Sequence, residues 1–174
     1  TFIGLDNYTR LIKDTMFWNS LLNTVKIWGI NVVLQLGLAF LLTIIFSDMK
    51  YKMKGLSIFR ALFYLPNLIA ATSVAFLFGA LLDWQFGSLN QILLDSGLIS
   101  TRINWLGQPG TAVLVVAVIG AWMWFGNSFL VLMAGVQGIS KDYYEAATID
   151  GAGRWTIFGK ITLPLLKPIL LYVA

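Results

Sequence analysis

Three long apolar runs, at 21–46, 59–82 and 110–137, constrain this chain more than any other feature of its sequence. Each exceeds the roughly 20 residues that a helix needs to cross a bilayer core of about 30 Å. Lipid offers the backbone no hydrogen-bond partner, so runs of this length satisfy their own N–H and C=O groups as helices. Composition agrees: 58% of residues are hydrophobic and only 11% charged, against about a quarter charged in soluble domains. A fourth run begins at 161 and is cut off at Ala174, and the first residue is Thr1 rather than a start methionine. The expectation is an all-α, polytopic transmembrane bundle in which residues 1–174 form part of one longer domain, with both termini of the parent chain missing.

Lys50, Lys52, Lys54 and Arg60 crowd the connection between the first two runs. The positive-inside rule places such a short basic loop in the cytoplasm. Residues 1–18 then lie outside, and 138–160, with Lys141, Arg154 and Lys160, lie inside. The outer segment 83–109 sets Asp83 and Asp95 against Arg102. Within it, Ser88 and Gln91 have capping-box spacing, Leu89, Ile92 and Leu93 share a helical face, and Gly97 ends the helix. Residues 1–14 carry a second amphipathic pattern built on Phe2, Leu5, Leu11 and Ile12. Trp18, Trp84, Trp105 and Trp155 flank spans, where an indole suits the headgroup layer. The absence of Cys and His removes thiolate and imidazole chemistry and the usual zinc sites. The net charge of +4 follows from residues beside spans rather than from a basic face for nucleic acid.

The segment 138–160 carries the most specific signal. Ser140 is placed to cap a helix, Asp142 and Glu145 put negative charge in its early turns, and Asp150-Gly151 supplies a turn. Ala146 and Ala147 leave a nearly bare helix face that another surface can approach. Pro164 suits the first turn of the following span. Glu145-Ala146-Ala147, three residues, Gly151, nine residues, then Ile161-Thr162-Leu163-Pro164 resembles the EAA loop of ATP-binding-cassette importer permeases at every fixed position. Seven matches at fixed spacing arise by chance on the order of once in a hundred million placements. Phe59-Arg60, Leu65-Pro66, Phe86-Gly87, Asn90 and Trp105-Leu106 extend the resemblance to carbohydrate-type permeases over nearly the whole chain.

That resemblance implies a type I importer permease fold with a cytoplasmic coupling-helix loop. It also implies that Glu145, Ala146, Ala147, Asp150, Gly151 and Pro164 form or shape a dock for a separate ATPase. ATP and magnesium would then be held by two partner ATPases and no cofactor by this chain. The other implied partners are a second permease, an extracytoplasmic solute-binding protein and membrane lipid, in a bacterial cytoplasmic membrane. No Gly-x-x-x-x-Gly-Lys phosphate loop occurs in the sequence itself.

Polar groups at membrane depth are costly and few. Gly120, Trp124 and Asn127 fall at i, i+4 and i+7 on the third run, one stripe of space, aromatic face and amide that suits a sugar ring. By resemblance to maltose-type permeases these positions line the solute path, together with Met123 and, on the second run, Asn67 and Ala71. A structural role competes: Asn67 and Asn127 bond neighbouring helices and Trp124 packs. Asn31 and Gln35, an i, i+4 pair on the first run, read as interhelical contacts. A secondary transporter or channel would need ionisable coupling residues deep in the spans, and an intramembrane enzyme a nucleophile–base pair or metal ligands. Neither accounts for the loop at 138–160.

Overall fold

The computed structural model describes residues 4–46 and 55–173. Phe2 and the basic cluster Lys50, Lys52 and Lys54, from which the orientation was read, lie outside the described residues. Among those described, every regular element is a helix: α1 (Asp6–Lys13), α2 (Thr15–Phe46), α3 (Leu56–Leu68), α4 (Ala71–Leu81), α5 (Ser88–Asp95), α6 (Pro109–Gln137), α7 (Lys141–Ile149), α8 (Arg154–Ile157) and α9 (Leu163–Val173), with a π-helical turn at Phe158–Thr162 joining the last two.

Three stretches are long and apolar enough to cross a bilayer: α2, α6 and the continuous helix Arg154–Val173. At 1.5 Å per residue they measure roughly 48, 44 and 30 Å. The last starts seven residues before the expected beginning at 161. The run 59–82 is not one straight helix. It breaks after Leu68, where Ile69 takes extended angles (φ −80°, ψ 133°), into α3 and α4, roughly 20 and 17 Å long and each too short to cross alone. Pro66 precedes the break by one turn and is buried inside α3. It lacks the N–H that would bond the Leu62 carbonyl, which weakens the ladder there.

The chain divides into two compact units, residues 1–31 with 72–120 and residues 32–71 with 121–174. In the first, the Asp14 carboxylate accepts the Met16 N–H at 2.8 Å and so caps the start of α2, and the Trp18 indole donates to the Ile12 carbonyl at 2.7 Å. Asn31 donates to the Ala117 carbonyl at 3.2 Å, tying α2 to α6. The loops after α4 are organised by Asn90, which is only 2% exposed. Its amide donates to the carbonyls of Trp84 (3.3 Å) and Ile103 (2.9 Å). Its oxygen accepts from the Ile103 N–H (3.2 Å) and the Trp105 indole (3.0 Å). A buried amide with all four of these bonds made has its polar atoms satisfied, and it fixes 84, 90, 103 and 105 relative to each other.

Gly97 ends α5 as expected: at φ +71°, its N–H bonds the Leu94 carbonyl while the Leu98 N–H bonds Leu93, both at 3.0 Å. The capping box does not form. Gly87, not Ser88, is the N-cap residue, Gln91 donates instead to Asp95 at 2.9 Å, and a side chain at 87 would overlap the Asp83 carbonyl. The chain must pass close to itself there, and that requirement overrides the side-chain cap.

The second unit is built on Ala39, Phe129, Leu132 and Met133. Phe46, Phe63 and Phe129 form a closed ring set, with centroids 5.7–6.1 Å apart, that joins α2, α3 and α6. In lipid the hydrophobic effect does not drive helices together, so close packing and polar bonds do. Two glycines of α6 supply the closeness: a side chain at Gly126 would strike the Phe63 carbonyl of α3, and one at Gly135 would strike Leu166 and Ile169 of α9. Gln35 supplies the polar bond, donating to the Ser128 hydroxyl at 2.6 Å. Asn31 and Gln35 are thus the interhelical contacts that their spacing on α2 indicated.

Candidate functional site

The segment from Ser140 to Thr162 is a helix, a tight turn and a second helix. The Ser140 hydroxyl accepts the Asp142 N–H at 3.3 Å and donates to the Asp142 carboxylate at 3.0 Å, so the start of α7 is capped from its own sequence. At the other end Gly151 sits at φ +74°. Its N–H bonds the Thr148 carbonyl at 3.0 Å, and the Ala152 N–H bonds Ala147 at 2.9 Å. This pair of bonds is the Schellman closure, and its left-handed residue favours glycine. Asp150, just before it, is the C-cap residue.

The two alanines differ in exposure. Ala147 is buried while Glu145 and Ala146 are exposed. The small side chain at 147 therefore lets α7 settle on its own chain, and the bare surface offered outward is at 146. Lys141, Tyr144, Glu145, Thr148 and Ile149 line an open depression of about 470 Å³. Ile149 is 86% exposed, an apolar side chain in a segment otherwise rich in polar groups.

Among the described residues, the contacts that hold the loop to the helices include a hydroxyl pair, a guanidinium–carbonyl bond and a ring contact. The Tyr144 and Thr162 hydroxyls lie 3.2 Å apart, Arg154 donates to the Ile44 carbonyl at 3.1 Å, and the rings of Phe158 and Phe40 meet edge-on at 5.3 Å. The π-helical turn follows from Pro164, the second residue of α9. Without an N–H, Pro164 cannot bond the Lys160 carbonyl and its ring crowds it. The turn widens, and the Leu163 N–H bonds Phe158, five residues back. Pro164 thus lies in the first turn of α9, as expected, but α9 continues the helical stretch that begins at Arg154.

The membrane-depth candidates fall out unequally. The space expected beside Gly120 is taken: a side chain there would overlap the Asn31 amide, so Gly120 makes room for α2. Trp124 is 50% exposed, Met123, Asn67 and Asn127 are half-buried, and Ala71 is exposed. Among the described residues, the Asn67 and Asn127 side chains have no protein hydrogen bond, and neither does the Trp124 indole. Phe63, one turn before Asn67, lies against Gly126, next to Asn127, so both amides flank the crossing of α3 and α6.

Sequence reasoning missed Ser128, which is fully buried, as the acceptor for Gln35, and Arg154 and Thr162 as anchors of the loop. The signal for these two was position alone: Thr162 fills the variable place of the Ile161–Pro164 motif, and Arg154 lies between Gly151 and that motif.

The family model of the binding-protein-dependent transport system inner membrane component matches residues 27–173. The lactose transport system permease protein LacF of Rhizobium radiobacter is 33% identical over 98% of this chain and 56% of its own length. The trehalose/maltose transport system permease protein MalF of Thermococcus litoralis is 36% identical over 98% of this chain and 54% of its own. A crystal structure of a bacterial ABC transporter that imports the acidic polysaccharide alginate superposes with a TM-score of 0.86 at 27% identity, covering 99% of this chain and 59% of that one. The same kind of transporter in complex with an alginate-pentasaccharide-bound periplasmic protein gives 0.83, also at 27% identity, over 97% of this chain and 57% of that one. The chain thus spans about half the length of the curated relatives it matches.

Proposed function

Because the chain belongs to the family of binding-protein-dependent transport system inner membrane components, we propose that it is part of a permease that moves a carbohydrate inward across a bacterial cytoplasmic membrane, driven by ATP hydrolysis in separate subunits. The observation that carries this reading is the capped helix–turn–helix at 140–157, with Glu145 and Ala146 exposed on α7 and Gly151 closing the turn. Two ATPases hold ATP and magnesium, and one seats α7 in a cleft. Glu145 offers that cleft a carboxylate, Ala146 a surface without bulk and Ile149 an apolar contact. A second permease completes the path, and an extracytoplasmic binding protein delivers the solute. The chain's own work is mechanical rather than catalytic.

The sugar class is supported by the names of relatives that carry lactose and trehalose or maltose and by the amides and indole left without protein partners near the α3–α6 crossing. Asn67 and Asn127 each offer a donor pair and an acceptor to hydroxyls, and Trp124 offers a face to sugar C–H groups. Met123 and Ala71 bound the same path with apolar surface, and Gly120 contributes by letting α2 close on α6.

The test is solute-stimulated ATP hydrolysis and uptake in proteoliposomes holding the full complex with its binding protein. Glu145→Ala combined with Gly151→Pro is expected to assemble yet lose stimulated hydrolysis and uptake together. Uptake that persists in that variant without any ATP requirement contradicts the importer reading.

A further inference from the structure

Resting on that reading, the geometry points to Arg154 as a positioning residue that ties the ATPase-facing loop to the first long helix, α2, so that movement of α7 and α8 is delivered to α2 as well as to α9. The first observation is the bond from the Arg154 guanidinium to the Ile44 carbonyl at 3.1 Å. Ile44 lies in the last described turn of α2, and a carbonyl oxygen has two lone pairs and so can accept a second donor beside any it already has. A guanidinium is suited to such a carbonyl because it stays charged and presents several N–H groups from one rigid plane. The second observation is the edge-on contact of Phe158 with Phe40 at 5.3 Å.

The two contacts share a register. Arg154 and Phe158 are four residues apart on one helical stretch, and Ile44 and Phe40 are four apart on α2, in reversed order. Residues so spaced lie on one face of a helix. The α8 stretch therefore runs antiparallel to the end of α2 with at least two rungs, one polar and one aromatic. Gly151 turns the chain directly ahead of the polar rung, and the π-helical turn Phe158–Thr162 begins at the aromatic one. Arg154 and Phe158 thus contact α2 at or ahead of the widened turn that leads into α9.

The experiment compares solute taken up per ATP hydrolysed in proteoliposomes of the full complex for wild type, Arg154→Leu and Arg154→Lys. The ratio is taken per assembled complex, so a lower yield of either variant does not enter it. Arg154→Leu removes the guanidinium donors and shortens the side chain, and its ratio is expected to fall about threefold or more. Arg154→Lys restores the unbranched stem and a single charged donor and is expected to recover part of that loss. An Arg154→Leu ratio equal to wild type, or a loss that lysine fails to rescue, overturns the inference. If the wild-type complex itself shows no ATP-dependent uptake, the importer reading fails instead, and the two failures are told apart by that control.

Discussion

Single residues carry different weights here, and the difference lies in how many partners each organises. Asn90 binds three residues, Trp84, Ile103 and Trp105, in two separate stretches of chain through four hydrogen bonds. Asn90→Ala leaves the Trp105 indole and backbone groups at Ile103 without partners and is expected to cost about 2–4 kcal/mol. A fall in the thermal midpoint of the purified complex checks this, and an unchanged midpoint would mean that the network is not structural. Residues whose role depends on their own backbone were legible in the sequence. Ser140, Gly97 and Gly151 obey capping and left-handed-turn rules that need no knowledge of distant chain. Ser88 and Gly120 behaved otherwise because a long-range neighbour decides them: the close return of the chain at Gly87 removes the first from its cap, and Asn31 fills the space beside the second.

Among the elements, α2 and α6 follow directly from apolar length, and α1 and α5 from amphipathic spacing. The break between α3 and α4 was not legible, since hydropathy measures apolar content and is blind to direction. Pro66 marked the place, but a proline inside a helix is compatible with a kink, a break or neither. The element-scale prediction concerns topology. If α3 and α4 together cross the membrane, cysteines introduced at Ser57 and Ser100 lie on opposite sides. These 174 residues contain no cysteine, so each introduced thiol reports alone once any cysteine elsewhere in the full protein is replaced. In intact cells an impermeant maleimide is expected to label Ser100→Cys at once and Ser57→Cys only after permeabilisation. Labelling of both from outside would mean that the pair re-enters, and the orientation drawn from the basic cluster would be wrong.

For the molecule as a whole, the exposed apolar surface is the governing fact. Phe76 and Phe86 are 84% and 89% exposed, and long aliphatic side chains stand open along α2, α3 and α6. Surface of this kind requires lipid or partner chains to cover it, in keeping with membership of a family of inner membrane components. The EAA-like pattern gave the loop's outline from sequence because its spacing is set by one rigid local shape. It could not tell which alanine faces out, since that depends on how α7 lies against its own chain. If α7 seats in an ATPase as proposed, Ala146, which is exposed, is expected to meet it and the buried Ala147 is not. The most direct measurement is oxidative cross-linking of single cysteines at 146 and 147 to cysteines scanned along the ATPase cleft in the assembled complex. The account predicts a strong cross-link from Ala146→Cys that responds to nucleotide and little or none from Ala147→Cys. Equal cross-linking from both, or none from either in a complex that transports, would contradict the claim that this face of α7 is where the ATPase takes hold.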